Sequence, residues 1–115
     1  MVELEEALDA ARAHIAPLRP PLFPLGQVVA TPGATEALPP WQLRLYQNRH
    51  QCGDWGLICA DDKALNETAV TDGSRSLSAY PIDPDQPGAG HGDNCVWIIT
   101  EADRSVTTLL LPEEH

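Results

Sequence analysis

Hydrophobic residues recur near the start of the chain at the spacing of one helix face, with steps of three and four. The pattern predicts an amphipathic helix over residues 2–16, which Pro17 ends. Its apolar stripe consists of Leu4, Leu8, Ala11, Ile15 and Leu18. A stripe this narrow is typical of a helix that docks on its own domain and also of one that pairs with a second subunit, so a homodimer through Leu4, Leu8, Ala11 and Ile15 stays open.

Prolines and glycines divide the middle of the chain into short elements. Four prolines make residues 17–24 an extended connector, and residues 27–30 are apolar enough for a short strand. Thr31 is typical of a helix N-cap, with Pro32 in the first helical position, and residues 39–40 end that helix. A second helix is predicted over about 41–51, opened by Pro40 and capped by Gly53.

The inward faces of the middle helices follow from their apolar positions. For helix 41–51 we expect Trp41 and Leu45 to face the core, with Leu43 and Tyr46 beside them. A third helix is predicted to begin at residue 60 or 61, to run to about 71 and to end before Gly73. Its inner face is expected to consist of Ala64, Leu65, Thr68 and Ala69.

The last third of the chain has the alternation and the turn residues of β-structure. Residues 75–80 predict a strand, and residues 81–94 are a loop rich in Pro, Gly and Asp. Residues 96–112 then predict a β-hairpin, because an apolar, β-branched limb is followed by the polar turn 102–105 and by a second limb that stops at Pro112.

These elements predict an α+β fold with one domain over residues 21–115, preceded by the helix and connector of residues 1–20. We expect a small antiparallel sheet of three to four strands, at 75–80, 95–101 and 106–111, with residues 28–30 as a further edge strand. The helices should pack on one face of it. The predicted core consists of Val28, Trp41, Leu45, Leu65, Leu77, Ile98 and Leu109.

The charge of the chain is strongly negative, with 17 acidic residues against seven Lys and Arg, and a net charge of −10. Such a chain repels phosphates, so we expect no direct binding to nucleic acid or to an anionic membrane. Residues 81–115 hold seven of the acids and one base, a net charge of −6. The acidic N-terminus and the lack of an apolar run of about 20 residues favour a cytoplasmic protein without a signal peptide or membrane helix.

Four blocks of the sequence carry a family resemblance. They are residues 23–34, the Arg49-His50-x-x-Gly53-Asp54-Trp55-Gly56 cluster, the Asp62-x-x-x-Asn66 pair and residues 97–112. Together they resemble small proteins encoded on bacterial plasmids and integrative elements, which are labelled as plasmid-related or as restriction-system components. The resemblance covers about residues 22–114. It implies a mobile-element context, with a role in defence, counter-defence or maintenance, and it assigns no activity to any residue.

The polar cluster of residues 49–56 allows two interpretations. In the structural one, Arg49 and His50 are favoured by the dipole at the end of their helix, and Trp55 fills the core. In the catalytic one, the protein is a small nuclease- or transferase-type enzyme in which His50 acts as acid or base beside charged groups of the hairpin turn. The candidate catalytic residues are His50, Asp54, Glu101 and Arg104.

The sequence predicts no metal and no cofactor. Cys52, Cys59 and Cys95 are expected to be free thiols, and their spacing with His50 and His91 does not match a zinc finger or ribbon. The acidic loop lacks the EF-hand pattern. The sequence also lacks a P-loop, a nucleophile elbow and a dinucleotide fingerprint.

The leading hypothesis is a non-catalytic protein-binding module that binds a basic protein surface. Its sharpest form is a nucleic-acid mimic that inhibits a host defence complex of the CRISPR or restriction type. One alternative is that the acidic surface serves solubility alone, and another is a dimeric structural module that uses the helix of residues 2–16. If the loop, the hairpin turn and the tail lie at one end of the sheet, they form a single negative patch. The predicted partner-binding residues are Asp83, Asp85, Asp93, Glu101, Asp103, Glu113 and Glu114.

Overall fold

The computed structural model describes residues 19–115, which form three α-helices and a four-stranded sheet, so the predicted α+β class is confirmed. The predicted helix 2–16 and its dimer stripe lie outside the described residues. In chain order the elements are β1 (Gln27–Ala30), α1 (Pro32–Ala37), α2 (Pro40–Gln51), α3 (Ala60–Asp72), β2 (Ser76–Tyr80), β3 (Val96–Thr100), β4 (Val106–Leu110) and a short 3₁₀ helix (Pro112–Glu114).

The sheet has the strand order β1-β4-β3-β2. Strand β3 pairs antiparallel with both β2 and β4, so the predicted C-terminal hairpin is confirmed, each strand ending within a residue or two of the prediction. Ile98 lies opposite Leu109 in this hairpin, and both side chains are buried, as predicted. Leu77 is half-buried on β2.

Strand β1 joins the sheet at its edge, as predicted, but it runs parallel to β4, so the sheet is mixed rather than antiparallel. The chain enters β1 at Gly26, directly against the backbone carbonyls of Arg104 and Ser105 in the hairpin turn. A Cβ at Gly26 would lie 2.4 Å from these oxygens. Because β1 and β4 both start from this turn, they run in the same direction. Val28 is 39% exposed, so its prediction as a core residue was wrong.

The helix ends follow the punctuation of the sequence. The Thr31 side chain accepts a hydrogen bond from the backbone N–H of Ala34 and caps α1. Pro40 opens α2, and α3 ends at Gly73, whose φ of 80° is left-handed. These proline and glycine positions therefore fixed where the helices begin and end.

The inward face of α2 differs from the predicted one. Trp41 is 67% exposed and Leu45 is 46% exposed, so their prediction as core residues was wrong. The buried face consists of Gln42, Tyr46 and His50, at steps of four, so Tyr46 faces inward as predicted, and Leu43 is partly buried against the core. Its polar atoms bind the chain beneath the helix, since the Gln42 amide donates to the Ile82 carbonyl and the Tyr46 hydroxyl donates to that of Pro81. These hydrogen bonds turn the helix away from its most hydrophobic orientation.

Helix α3, like α2, faces the interior with a side that differs from its predicted apolar face. Ala64, Leu65 and Thr68 are exposed, so the prediction of Leu65 as a core residue was wrong. Ala69 faces inward as predicted, and the second inward residue is Asn66. The helix lies along the outer edge of β2, where Asn66 replaces a neighbouring strand, so a polar residue is needed on its inner face.

Two hydrophobic clusters hold the described residues together. Helices α1 and α2 cover one face of the sheet, and their cluster contains Ala34, Leu38, Tyr46, Tyr80, Val96, Ile98 and Leu109. The second cluster gathers the segments that flank the helices with part of the sheet, and contains Phe23, Leu25, Trp55, Ile58, Ala79 and Cys95. Phe23 and Trp55 of this second cluster pack against His50, a member of the polar cluster of residues 49–56.

Candidate functional site

His50 lies at the end of α2 with its ring completely buried. The ring is held edge-on against Phe23 and Trp55, at centroid distances of 5.3 and 5.7 Å. Burial, together with the nearby positive charge of Arg104, lowers the pKa of His50 from 6.5 to about 3. The imidazole is therefore neutral at physiological pH.

Both nitrogens of the imidazole contact hydroxyl groups of the sheet. Nδ1 lies 2.5 Å from the Ser78 Oγ and Nε2 lies 2.9 Å from the Thr100 Oγ1. Thr100 in turn contacts the Thr107 hydroxyl at 2.8 Å, and Thr107 donates to the Leu25 carbonyl. A neutral imidazole donates at one nitrogen and accepts at the other, so this chain of groups satisfies His50 in full.

Asp54 forms an ion pair with Arg49 across the end of α2, with 2.7 Å between the Nε and Oδ2 atoms. The guanidinium of Arg49 lies over the rings of Tyr46 and Tyr80, 5.5 and 4.8 Å from their centroids. The Tyr80 hydroxyl also donates to the Asp54 carbonyl. Asp54 and Arg49 thus hold the turn after α2 against β2.

Arg104 and Glu101 occupy the hairpin turn and point to different partners. The Arg104 guanidinium donates to the carbonyls of Ser74 and Ala69, both at 2.9 Å, so it closes the C-terminal end of α3. The Glu101 carboxylate lies 3.5 Å from Arg75 at the surface. Neither group contacts the imidazole of His50.

The four predicted catalytic residues therefore do not converge on one pocket. The His50 ring is completely buried, and the Asp54 carboxylate is paired with Arg49. Glu101 is paired with Arg75, and Arg104 donates to the Ser74 carbonyl. General acid–base catalysis needs a titratable group within hydrogen-bonding reach of the substrate. The completely buried ring of His50 cannot reach a substrate in this arrangement.

The acidic residues of the last third divide between the two ends of the sheet. Tyr80 pairs with Val96, and Leu110 pairs with Trp97, so loop 81–95 and the C-terminal tail leave the sheet at one end. The hairpin turn, with Glu101 and Asp103, lies at the other end, because a turn joins the far ends of two antiparallel strands. Among the described residues, the loop, the turn and the tail therefore do not form a single negative patch.

The loop and the tail meet around a cavity of about 390 Å³, lined by residues that include Asp93, Cys95, Leu111 and Glu113. Two acidic side chains thus border one concave surface. We call the four residues Asp83, Asp85, Asp93 and Glu113, which lie on this loop and tail, the acidic end.

Internal hydrogen bonds hold the segments that carry the acidic end. The Asn94 side chain accepts from the Asp83 N–H and donates to the carbonyls of Asp83, Gln86 and Pro87. In the tail, Glu114 accepts hydrogen bonds from the Thr31 hydroxyl and from the Leu111 and Gly33 N–H groups. These bonds lower the pKa of Glu114, with the largest contribution from Thr31. Glu114 therefore attaches the tail to α1.

A second concavity was not predicted from the sequence. Its volume is about 470 Å³, and it lies between Leu57, Ile58, Leu77 and Trp97 on one side and the loop residues 89–91 on the other. Trp97 fixes this loop by donating from its indole N–H to the Gly90 carbonyl at 2.8 Å. The only signal of this concavity in the sequence is an apolar residue, Trp97, close to the Gly-rich loop 81–94.

The three cysteines, all within the described part, are free thiols. Cys52 is half-buried, Cys59 is exposed and Cys95 is buried. Burial raises the pKa of the Cys95 thiol to about 11. Among residues 19–115 no three His, Cys, Asp or Glu side chains are grouped so that they could hold a metal ion.

Comparisons with known proteins leave the sequence and the structure as the basis for function. No protein-family model matches the chain, and no match was found among curated proteins or solved structures. Within the described residues, no helix has the length and apolar character required to cross a membrane.

Proposed function

We propose that this protein is a non-catalytic binding module that presents its acidic end to a basic protein surface. The observation that carries the proposal is the position of Asp93 and Glu113 on one concave surface between loop and tail. The side chains of Asp85, Asp93 and Glu113 have no hydrogen-bonding or ionic partner among the described residues, so their carboxylates are available to an incoming Arg or Lys.

The preorganised backbone around these carboxylates supports the same proposal. Asn94 holds the loop through four hydrogen bonds, and Glu114 holds the tail against α1. A partner would find the acidic groups already in position, which reduces the entropy lost on binding. The net charge of −10 would also accelerate association with a basic surface.

A nucleic-acid mimic is the most specific form of this proposal. A basic channel that binds phosphates would accept a row of carboxylates, and the chain's resemblance to plasmid-encoded proteins favours a host defence complex as the target. In this form the protein competes with nucleic acid for the channel. Binding should weaken as salt rises, because exposed charges are screened.

Affinity capture from a bacterial host lysate tests the proposal. The unaltered chain is compared with a variant that carries Asp85→Asn, Asp93→Asn and Glu113→Gln. A charge-matched control carries Asp72→Asn, Glu101→Gln and Asp103→Asn, which neutralise three acidic residues at the hairpin-turn end of the sheet. Capture should fall by roughly tenfold or more in the first variant, and the control should capture as the unaltered chain does.

Two results would contradict the proposal. Equal loss of capture in both variants would indicate that only total charge matters, and full capture by the first variant would exclude the acidic end. Displacement of the captured protein by duplex DNA tests the mimic separately. A captured protein that DNA does not displace would refute the mimic and leave the binding module standing.

A further inference from the structure

We propose that two copies of this protein associate through the outer edge of β1, so that their sheets join into one. This interface is separate from the acidic end and does not depend on it. The inference comes from the contrast between the two edges of the sheet. One edge is closed by the protein itself, and the other has no hydrogen-bonding partner among residues 19–115.

The edge at β2 is closed along its length. The Asn66 amide donates to the Leu77 carbonyl at 2.7 Å, and its oxygen accepts from the Leu77 N–H at 3.1 Å. Further along, the Leu57 N–H donates to the Ala79 carbonyl, and the Ala79 N–H donates to that of Trp55. The outward backbone groups of β2 are thus paired inside the molecule, which prevents edge-to-edge association there.

The edge at β1 is open among the described residues. Gln27 donates to the Ser105 carbonyl and Thr31 to that of Leu109, so the odd-numbered residues of β1 bond to β4. In a parallel ladder the alternate residues point outward, and these are Val28 and Ala30. Their backbone N–H and C=O groups have no partner in residues 19–115, and all four residues of β1 are exposed.

The sequence of β1 lacks the features that usually protect such an edge. Gln27-Val-Val-Ala30 contains no charge and no proline, and Val28 and Val29 are 39% and 38% exposed. In a chain with a net charge of −10, a neutral apolar edge is the place where a second copy can approach with the least repulsion.

The register of the pair follows from the outward residues. In an antiparallel pair about a twofold axis, Val28 of one copy lies opposite Ala30 of the other, and each pair exchanges two backbone hydrogen bonds. Val29 then faces Val29 of the second copy across the axis, where side chains come closest. The contact is short, below about 1,200 Å² of buried surface, so the association is reversible and weak.

Amide hydrogen exchange on the full chain, measured by NMR at rising protein concentration, tests this interface. The Val28 and Ala30 amides should exchange fast at low concentration and become protected as concentration rises. The Val29 amide, which points to β4, serves as the internal control and should be protected throughout. Sedimentation equilibrium on the same samples should show a monomer–dimer equilibrium.

Two matched substitutions separate the backbone bonds from the side chain. Ala30→Pro removes the outward N–H without touching a bond to β4, and it should weaken dimerisation by roughly tenfold or more. Ala30→Val keeps the N–H and should leave the dimerisation constant unchanged within a factor of about two. Far-UV circular dichroism checks that both variants fold, and if Ala30→Pro does not fold, the exchange data on the unaltered chain decide.

A third variant tests the other possible dimer. Leu8→Glu disrupts the predicted apolar stripe of residues 2–16 and should leave the β1 dimer intact. The proposal is overturned if the Val28 and Ala30 amides exchange fast at every concentration, or if their protection does not depend on concentration. It is also overturned if Leu8→Glu abolishes the dimer while Ala30→Pro preserves it.

Discussion

The buried, neutral imidazole of His50 makes the stability of this protein depend on pH in a definite direction. The pKa of His50 is about 3 in the folded chain and 6.5 in the unfolded one. Between these values the unfolded state binds a proton that the folded state excludes. The stability that the neutral, buried His50 contributes is fully present above pH 6.5 and is lost as the pH falls toward 3.

The size of the effect follows from the two pKa values. At about pH 5 the unfolded histidine is almost fully protonated, and the folded one is not. The free energy of unfolding should therefore be about 2 kcal/mol lower at about pH 5 than at about pH 7.5. A typical domain has only about 5–15 kcal/mol of stability, so a loss of this size is readily measured.

Urea titrations of the unaltered chain and of His50→Gln, at both pH values, isolate this contribution. Glutamine does not titrate, and it cannot reach Ser78 and Thr100 as the imidazole does, so the variant should be less stable at neutral pH by about 1–3 kcal/mol. The difference between the two chains should then shrink by about 2 kcal/mol at about pH 5. Carboxylates and net charge act on both chains alike and cancel in the difference.

A control substitution at an exposed histidine completes the experiment. His91→Gln should leave the pH dependence of the unaltered chain in place, since His91 lies on the exposed loop. If the curves of the unaltered chain and of His50→Gln stay parallel from about pH 7.5 to 5, the burial of His50 is not a source of the pH dependence. The imidazole would then be able to accept a proton without unfolding the chain, which would reopen its role as an acid or base.

Two further predictions concern the edge of β2, and both are read from unfolding experiments. Asn66→Ala leaves the N–H and C=O of Leu77 without partners and should lower the free energy of unfolding by about 2–4 kcal/mol in urea. Gly56→Ala should cost more than about 2 kcal/mol, because its Cβ would lie 2.0 Å from the Ala79 carbonyl oxygen, while Gly73→Ala, at a similar φ but in open space, should cost about 1 kcal/mol. Equal losses in thermal unfolding at the two glycines would show that the contact with Ala79 is not the cause.

The boundaries of the elements were predictable because short-range chemistry sets them. Thr31, Pro32, Pro40 and Gly73 act through their own backbone geometry, and each marks a helix end in the structure as it does in the sequence. The hairpin was predictable for the same reason, since its limbs and turn are adjacent in the chain.

The orientation of the helices was not predictable from hydrophobicity. Trp41 and Leu45 are large apolar residues of α2, yet they face outward, and Gln42 and His50 face inward. Which residues face inward depends on hydrogen-bonding partners on distant segments, such as the Ile82 carbonyl for Gln42. Such partners come together only through the tertiary fold, so an apolar pattern cannot reveal them.

Part of the charge distribution could be derived from topology alone. An antiparallel hairpin places its turn opposite the ends of its strands, so Asp103 must lie away from Asp93 and Glu113 in any fold that contains this hairpin. What the sequence could not show is the concavity between loop and tail, because it depends on Asn94 and Glu114 fixing the two segments.

Shifted pKa values are often found at functional sites, but the shifts of His50, Asp103 and Glu114 have causes inside the fold. The low pKa of His50 arises mainly from burial, and the ring's two hydrogen-bond partners are internal hydroxyls, so the shift reflects folding. Asp103 and Glu114 have lowered pKa values because they accept hydrogen bonds from their own chain, from Ser105 and Thr31 respectively. Carboxylates engaged in this way have less capacity for a partner. The acidic residues with no internal partner in the described part then become the strongest candidates for recognition, and those of the acidic end are Asp85, Asp93 and Glu113.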